Sequence, residues 1–296
     1  MNAAPAVAIV IRCHNEVDHL GGVIAAVRDQ AFEDYEILAV DSGSTDGTLG
    51  LLEELEVEIV HIPKDQFSFG RSLNLGCKTA RGDILVFLSA HCYPADEDWL
   101  ANLIAGFDDP GVAAIYGKQR AVDTSAFSEH QILKRWFPEQ SVKRQDQPFI
   151  NNANCAVRRV VWEQYPYDEE LPGLEDVAWA KTVMEEGWKI GYRADATVYH
   201  VHDETRSQTL NRYQREAITF QKVFPAEHFN LLDFVRLSGR NIVADWKAAR
   251  EQRVLLRKWG EIIGFRLAQF WGTYRGFHTR WPSSSELKRR FYYPDE

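Results

Sequence analysis

Four short segments of this chain concentrate side chains able to exchange protons, bind anions or read hydrogen bonds. The first, Arg12-Cys13-His14-Asn15-Glu16, closes an apolar run. The second is Asp41-Ser42-Gly43-Ser44-Thr45-Asp46-Gly47. An Asp at a strand end can accept a hydrogen bond from a base N–H while the following turn offers backbone amides. Turn and cap duty is the commoner role of such an Asp. The third is Ser89-Ala90-His91-Cys92-Tyr93-Pro94. The fourth, Gly173-Leu174-Glu175-Asp176, opens a helical stretch, where a lone acidic pair ordinarily complements the helix dipole. Further on, Tyr199-His200-Val201-His202 would send both histidines to one face of a strand, because side chains alternate with period two.

The elements around these segments alternate. Residues 7–11 (VAIVI) are continuously apolar, as in a parallel strand buried on both faces. Leu20, Val23, Ile24 and Val27 then share one helix face. Strands follow at 35–40, 57–62, 84–88 and 112–116, with helices at 48–55, 72–80 and 96–107. Repeated β-α-β units predict an α/β fold: a mostly parallel sheet flanked by helices, with ligands beyond the carboxyl ends of the strands. Segments 13–16, 41–46 and 89–92 all sit at strand ends and should gather on one edge. Beyond about residue 205 the pattern turns to long helices. This predicts a domain over 1–205 and a helical C-terminal extension over 206–296. In the extension Leu255, Trp259, Ile262, Ile263, Phe270 and Tyr274 recur at three- and four-residue steps, making a basic amphipathic helix. Such a stripe packs on its own domain or lies on a membrane interface.

Composition narrows the class. With 45% hydrophobic and 26% charged residues the chain is neither disordered nor collagen-like. No apolar run is long enough for a spanning helix, and residues 1–5 carry no basic leader; both point to the cytoplasm. Cys13, Cys77, Cys92 and Cys155 form no CxxC pair and read as reduced thiols. The net charge of −9 conceals +9 over residues 236–290 against −18 elsewhere. An acidic body with a basic tail argues against a nucleic-acid binder. It suits an enzyme whose tail meets an anionic surface or ligand. There is no G-x-G-x-x-G after a strand, no H-E-x-x-H and no G-x-S-x-G. Gly111 to Lys118 mimics a P-loop with the wrong spacing.

Taken in order, the segments resemble family 2 glycosyltransferases. Residues 7–16 look like the family's first strand, and 41–48 like its D-D-G-S-T-D-x-T turn. Gly70-Arg71-Ser72-Leu73-Asn74-Leu75-Gly76 with Ala80-Arg81-Gly82-Asp83 is similar to its G-x-x-x-A-R-N-x-G…A-x-G segment, and Glu175-Asp176 to its E-D motif. The resemblance covers about residues 6–205. It implies a GT-A fold and inverting transfer from a nucleotide-diphosphate sugar (UDP, dTDP or GDP) to a glycan or lipid-linked acceptor. Asp176 would be the general base, with Glu175 its partner or substitute. Cys13, Asn15, Glu16, Asp41, Ser42, Arg71, Asn74, Ser89 and Ala90 would line the donor site. The Asn-rich stretch offers Asn152 and Asn154 to sugar hydroxyls, with Trp179 as a stacking face, although turn and core roles are commoner for these residue types.

The departures from the family matter. Arg12 replaces the usual Pro, and Leu73 replaces an Arg whose charge Arg71 or Lys78 would then supply. The D-x-D metal motif reads Ser89-Ala90-His91. Negative charge growing on a diphosphate leaving group still needs a cation or amide donors. The expectation is a divalent metal at His91 with His200 or His202, with Mn2+ favoured over Mg2+ because imidazole suits transition ions. Direct donation from these histidines to phosphate is the alternative. The basic tail predicts peripheral contact with the inner face of a membrane. A non-catalytic nucleotide-sugar binder is the competing function.

Overall fold

The computed structural model describes residues 4–280. Its strands are β1 (Val7–Cys13), β2 (Tyr35–Asp41), β3 (Glu58–His61), β4 (Ile84–Ser89), β5 (Cys92–Pro94), β6 (Val112–Ala121), β7 (Val142–Gln145), β8 (Asn154–Arg158) and β9 (Lys189–His200). Its helices are α1 (Val17–Arg28), α2 (Thr48–Glu54), α3 (Phe69–Thr79), α4 (Trp99–Ile104), α5 (Phe127–Trp136), α6 (Arg159–Gln164), α7 (Glu175–Glu185), α8 (Arg206–Val223), α9 (Leu231–Glu251) and α10 (Leu255–Phe277).

One sheet runs in the order β3-β2-β1-β4-β8-β6-β9-β5, with β7 paired to β9. The pairings among β1 to β4 are parallel, as the alternating pattern predicts. From β8 onward the sheet is mixed: β8 runs antiparallel to β4 and β6, and β9 antiparallel to β5 and β7. Val7 to Ile11 are all buried, which explains their unbroken apolar run. Leu20, Val23, Ile24 and Val27 of α1 cover that layer. The helix expected over 96–107 is α4 followed by a 3-10 turn, Ala105–Asp108. The strand expected over 112–116 extends to Ala121. Cys13, Cys77, Cys92 and Cys155 are all buried thiols.

The chain divides into two compact units, and the division does not follow a single cut after residue 205. The first unit holds the described residues up to 120, with 137–169 and 175–200. The second joins 121–136 and 170–174 to the described residues from 201 onward. The reason is polar: α5 is bound to the later helices through buried side chains. Ser128 Oγ donates to Asp245 Oδ2 at 2.6 Å, and Arg212 reaches the Glu129 carboxylate at 3.2 Å. Asp245 also accepts two bonds from Arg266, at 2.7 and 2.9 Å. These residues lie far apart in sequence and leave no periodic signal.

On α10 the covered face follows the expected stripe only in part: Ile262 is buried, and Leu255, Ile263, Phe270 and Tyr274 are half-buried. Ile262, Phe265, Arg266, Gln269, Gly272 and Gly276 are buried, whereas Trp259 is 56% exposed. A Cβ at Gly272 would meet Leu210 O, and one at Gly276 would meet Ala217 and Gln214 of α8. The two glycines let α8 and α10 approach closely, and glycine is silent in a scan for apolar periodicity.

The Asp245–Arg266 pair gives a stability prediction. Asp245→Ala leaves a guanidinium buried without its counter-charge, and should cost about 3–5 kcal/mol. Asp245→Ala combined with Arg266→Met should cost clearly less. Urea unfolding of both variants checks this; equal losses would remove the ion pair as the cause.

Candidate active site

β1 lies between β2 and β4, with Cys13 opposite Asp41 and Arg12 opposite Ser89. The three strand ends therefore meet on one edge, and the loops leaving them are tied together by hydrogen bonds. Asn15 N–H donates to Ser44 Oγ at 2.9 Å, and Thr45 N–H donates to Asn15 Oδ1 at 2.8 Å. Glu16 N–H donates to Thr48 Oγ1 at 2.8 Å, and Val17 N–H to Asp46 Oδ2 at 3.1 Å. Asn15 has φ +55°, a left-handed conformation that Asn tolerates better than most residues. Gly43 and Gly47 supply the positive φ of the opposing turn. Burial works to raise Asp46, yet the bonds from Thr48 and Val17 outweigh it and hold the carboxyl below its ordinary range.

Three imidazoles gather beside this edge. His91 Nδ1 lies 2.7 Å from Glu16 Oε1, and its Nε2 lies 3.1 Å from Ser89 Oγ. The His200 ring stacks on His91 with centroids 5.1 Å apart, and its Nδ1 donates to Gln119 Oε1 at 2.8 Å. His19 meets His91 edge-on at 6.4 Å and bonds the Tyr93 hydroxyl at 3.1 Å.

Glu175 and Asp176 open α7 in its first turn. The preceding Leu174 holds φ +51°, a strained backbone for a Leu. Asp176 is buried; its Oδ2 accepts from Asn152 N–H at 3.2 Å and its Oδ1 from Val177 N–H at 2.8 Å. Arg12 Nη1 lies 3.4 Å from Glu175 Oε1 and donates to Phe69 O at 3.2 Å. Burial first, and the Glu175 charge second, push Asp176 up to about 7, against the backbone donors and Arg12. The carboxyl therefore ionises near neutral pH. Asn152 itself is buried; its Oδ1 accepts from Tyr167 OH at 3.3 Å, while its Nδ2 has no hydrogen-bond partner among the described residues.

Residues 8–165, just over half of the chain, match the family model described as glycosyl transferase family 2. The chain belongs to glycosyl transferase family 2. It is a glycosyltransferase. It is 28% identical over 219 residues to an O-antigen chain rhamnosyltransferase, RfbN, of Salmonella typhimurium, covering 70% of each chain. It is 25% identical over 207 residues to glycosyltransferase AglE of Haloferax volcanii, covering 66% of this chain and 67% of that one. Among solved structures it resembles the mannosyltransferase PcManGT of Pyrobaculum calidifontis in complex with GDP-Man and Mn2+. The TM-score is 0.62 at 17% identity, covering 99% of this chain and 89% of that one. TarS of S. aureus in complex with UDP gives a TM-score of 0.54 at 12% identity, covering 89% and 90%. These two show the fold alone.

Several side chains expected to face substrate in this glycosyltransferase are spent on structure instead. Cys13 is buried, its thiol pushed far up by burial and by the Asp41 and Glu16 charges, and it points at Asp41 and the Val40 carbonyl. The Asp41 carboxylate takes the turn role, accepting from Gly43 N–H at 2.8 Å, Ser44 N–H at 3.1 Å and Ser44 Oγ. Ser42 is buried and turns its hydroxyl to Cys13 O at 3.4 Å, and Ala90 lies in the core. Asn74 uses both ends of its amide internally, on Trp162, Glu169 and the Tyr167 backbone. Arg71 reaches Gln66 at 3.0 Å and Glu169 at 4.0 Å. Asn154 is fully buried, its amide engaged by Trp99, Lys118 O and Ala196 O. Trp179 stacks on Tyr167 at 5.6 Å and is buried.

Of the three proposed metal histidines, His91 and His200 are brought together, their rings stacked 5.1 Å apart. His202 belongs to the second unit, where its charge acts on Glu129. Among the described residues no group of three or more His, Cys, Asp or Glu side chains could hold a metal. Gln119 and Tyr167 were not anticipated as site neighbours; each lies in an unremarkable stretch and gains meaning only through its tertiary partner. Arg12 did carry a signal, a cation in place of the family's Pro, although its pairing with Glu175 was not legible.

The electrostatics predict a pH profile. Turnover should rise with pH through about 7 as Asp176 ionises. Arg12→Met removes a charge that favours the carboxylate, so the inflection should move up; Glu175→Gln should move it down. Initial rates between pH 5 and pH 9 on all three proteins read this directly, and a profile unmoved by either substitution would discard Asp176 as the titrating group.

Proposed function

We propose that this chain is an inverting glycosyltransferase that moves a sugar from a nucleoside-diphosphate donor to an acceptor hydroxyl. The observation that carries the reading is Asp176: a buried carboxyl brought near neutrality beside Glu175 and Arg12. A general base works best when its pKa lies near the working pH. In the proposed reaction the acceptor oxygen attacks the anomeric carbon from the face opposite the diphosphate. The new C–O bond forms as the bond to the phosphate oxygen breaks. Asp176 takes the hydroxyl proton, and the bonding electrons leave with the diphosphate. Glu175 and Arg12 are positioning residues that set the ionisation of Asp176. The Asn152 amide, with Nδ2 unspent, is assigned to a sugar hydroxyl.

The solved neighbours named with GDP-Man and UDP support a nucleotide-sugar donor, with GDP, UDP and dTDP as the bases to test. The relative named for O-antigen rhamnosyl transfer supports a glycan or lipid-linked acceptor in polysaccharide assembly.

The donor set fits a metal only in a limited way. His91 hydrogen-bonds Glu16 through Nδ1, the backing that metal-bound imidazoles commonly have, which leaves Nε2 for ligation in place of its Ser89 contact. A divalent ion held there chiefly by the donor's own phosphates would neutralise charge on the leaving diphosphate. The competing reading, a non-catalytic nucleotide-sugar binder, draws on the missing carboxylate cluster. A tuned general base has no use in such a module. Slow release of free sugar from the donor, measured without acceptor, favours the enzyme.

Two outcomes are expected. Asp176→Asn should retain nucleotide affinity and lower turnover roughly a hundred- to ten-thousand-fold; near-normal transfer would remove Asp176 from the role. Manganese should support activity better than magnesium, and His91→Ala should weaken metal-dependent nucleotide binding more than metal-free binding. Calorimetric titration of each nucleoside diphosphate, with and without manganese, measures both terms, and full activity in excess chelator would exclude the metal.

A further inference from the structure

Arginines and bare apolar side chains cluster where α9 turns into α10. Residues 252–254 make the turn, and Arg253 holds φ +61° there. Arg250, Arg253 and Arg257, with Val254, Leu255 and Leu256, line a shallow cavity of about 460 Å3. None of these three arginines forms an ion pair among the described residues. By contrast, Lys258 is matched by Glu261 at 2.6 Å and Arg266 by Asp245. Leu256 is 93% exposed, and Trp259, one turn further along α10, is also bare. Arg240 and Lys247 on α9 are exposed as well, so over residues 240–257 only Glu251 is an exposed acid.

We propose that this turn is a docking site for an anionic lipid surface, with Arg250, Arg253 and Arg257 on headgroup phosphates and Leu256 and Trp259 in the interfacial layer. Three observations favour that occupant. Planar guanidinium groups pair bidentately with phosphate, and three of them share one cavity. Trp sits preferentially at headgroup depth, and an exposed Leu between arginines can enter the interfacial apolar layer once the arginines hold the headgroups. A second copy of the same surface would set Arg253 and Arg257 against their own counterparts, which like-charge repulsion disfavours. No helix among the described residues is long and apolar enough to cross a membrane. The basic run continues to residue 290, with residues 281–290 outside the described part of the chain. The proposal does not rest on the transfer reaction, because binding is measured without donor or acceptor.

The test is flotation of the full chain with phosphatidylcholine vesicles and with vesicles that also contain phosphatidylglycerol. Binding should require phosphatidylglycerol and weaken with salt. Each arginine near such a surface contributes about 1 kcal/mol, or about fivefold, so Arg250→Gln, Arg253→Gln and Arg257→Gln together should lower affinity about a hundredfold. Leu256→Ser should weaken binding at high salt, where charge is screened. These exposed substitutions should leave the melting temperature unchanged. Millimolar inorganic phosphate should fail to displace the chain from vesicles; displacement would indicate a free-anion pocket and overturn the lipid assignment. Equal binding to both vesicle types, wild-type affinity in the triple variant, or a dimer lost on Leu256→Ser would overturn it too.

Discussion

The position of β1 is the constraint from which the first unit follows. Hydrogen-bonded in parallel to β2 on one side and β4 on the other, it brings Arg12, Asp41 and Ser89 to one edge. Every loop leaving that edge must then satisfy its own polar groups close to its neighbours. The chain does this by lacing Asn15, Glu16 and Val17 to Ser44, Asp46 and Thr48. Carboxylates and hydroxyls that look available for a ligand are consumed in building the cradle. What remains facing outward is a smaller set, centred on Glu16 and His91.

The second consequence is electrostatic. Asp176 is buried next to Glu175, and its ionised form is disfavoured in the folded protein. Its carboxyl titrates higher when folded than when unfolded. The protonated group therefore contributes stability at low pH, and that contribution is lost as pH rises from the ordinary carboxylate range through about 7. The loss is about 1.4 kcal/mol for each pH unit of that window. An ionised Asp176 at neutral pH is thus held at the expense of stability, and the nearby Arg12 charge limits the cost.

Arginine serves opposite ends within the helical unit. Arg212 and Arg266 are turned inward and matched, fixing α5 among helices that follow it by some eighty residues or more. Arg250, Arg253 and Arg257 are turned outward and lack a counter-charge in the described structure. Sequence position does not distinguish the two groups; burial does.

The sequence by itself determined the alternating elements of the first 116 residues and the change to long helices beyond about residue 205. Apolar runs and helical periodicity are local consequences of burial, so β1, β2, β4 and the buried face of α1 were legible residue by residue. Motif order was enough for the family and for a gathering of three strand ends. Only the tertiary structure decided which polar side chains are spent. Asn74, Asn154 and Trp179 have residue types that suit a ligand, yet their partners come from other segments that the chain brings together only on folding. The same is true of the antiparallel half of the sheet and of α5's recruitment to the helical unit. Both depend on long-range pairing, for which neighbouring residues carry no periodic trace. The pairing of Arg12 with Glu175, 163 residues apart, is of this kind: sequence supplied both charges, and the fold alone set them 3.4 Å from each other.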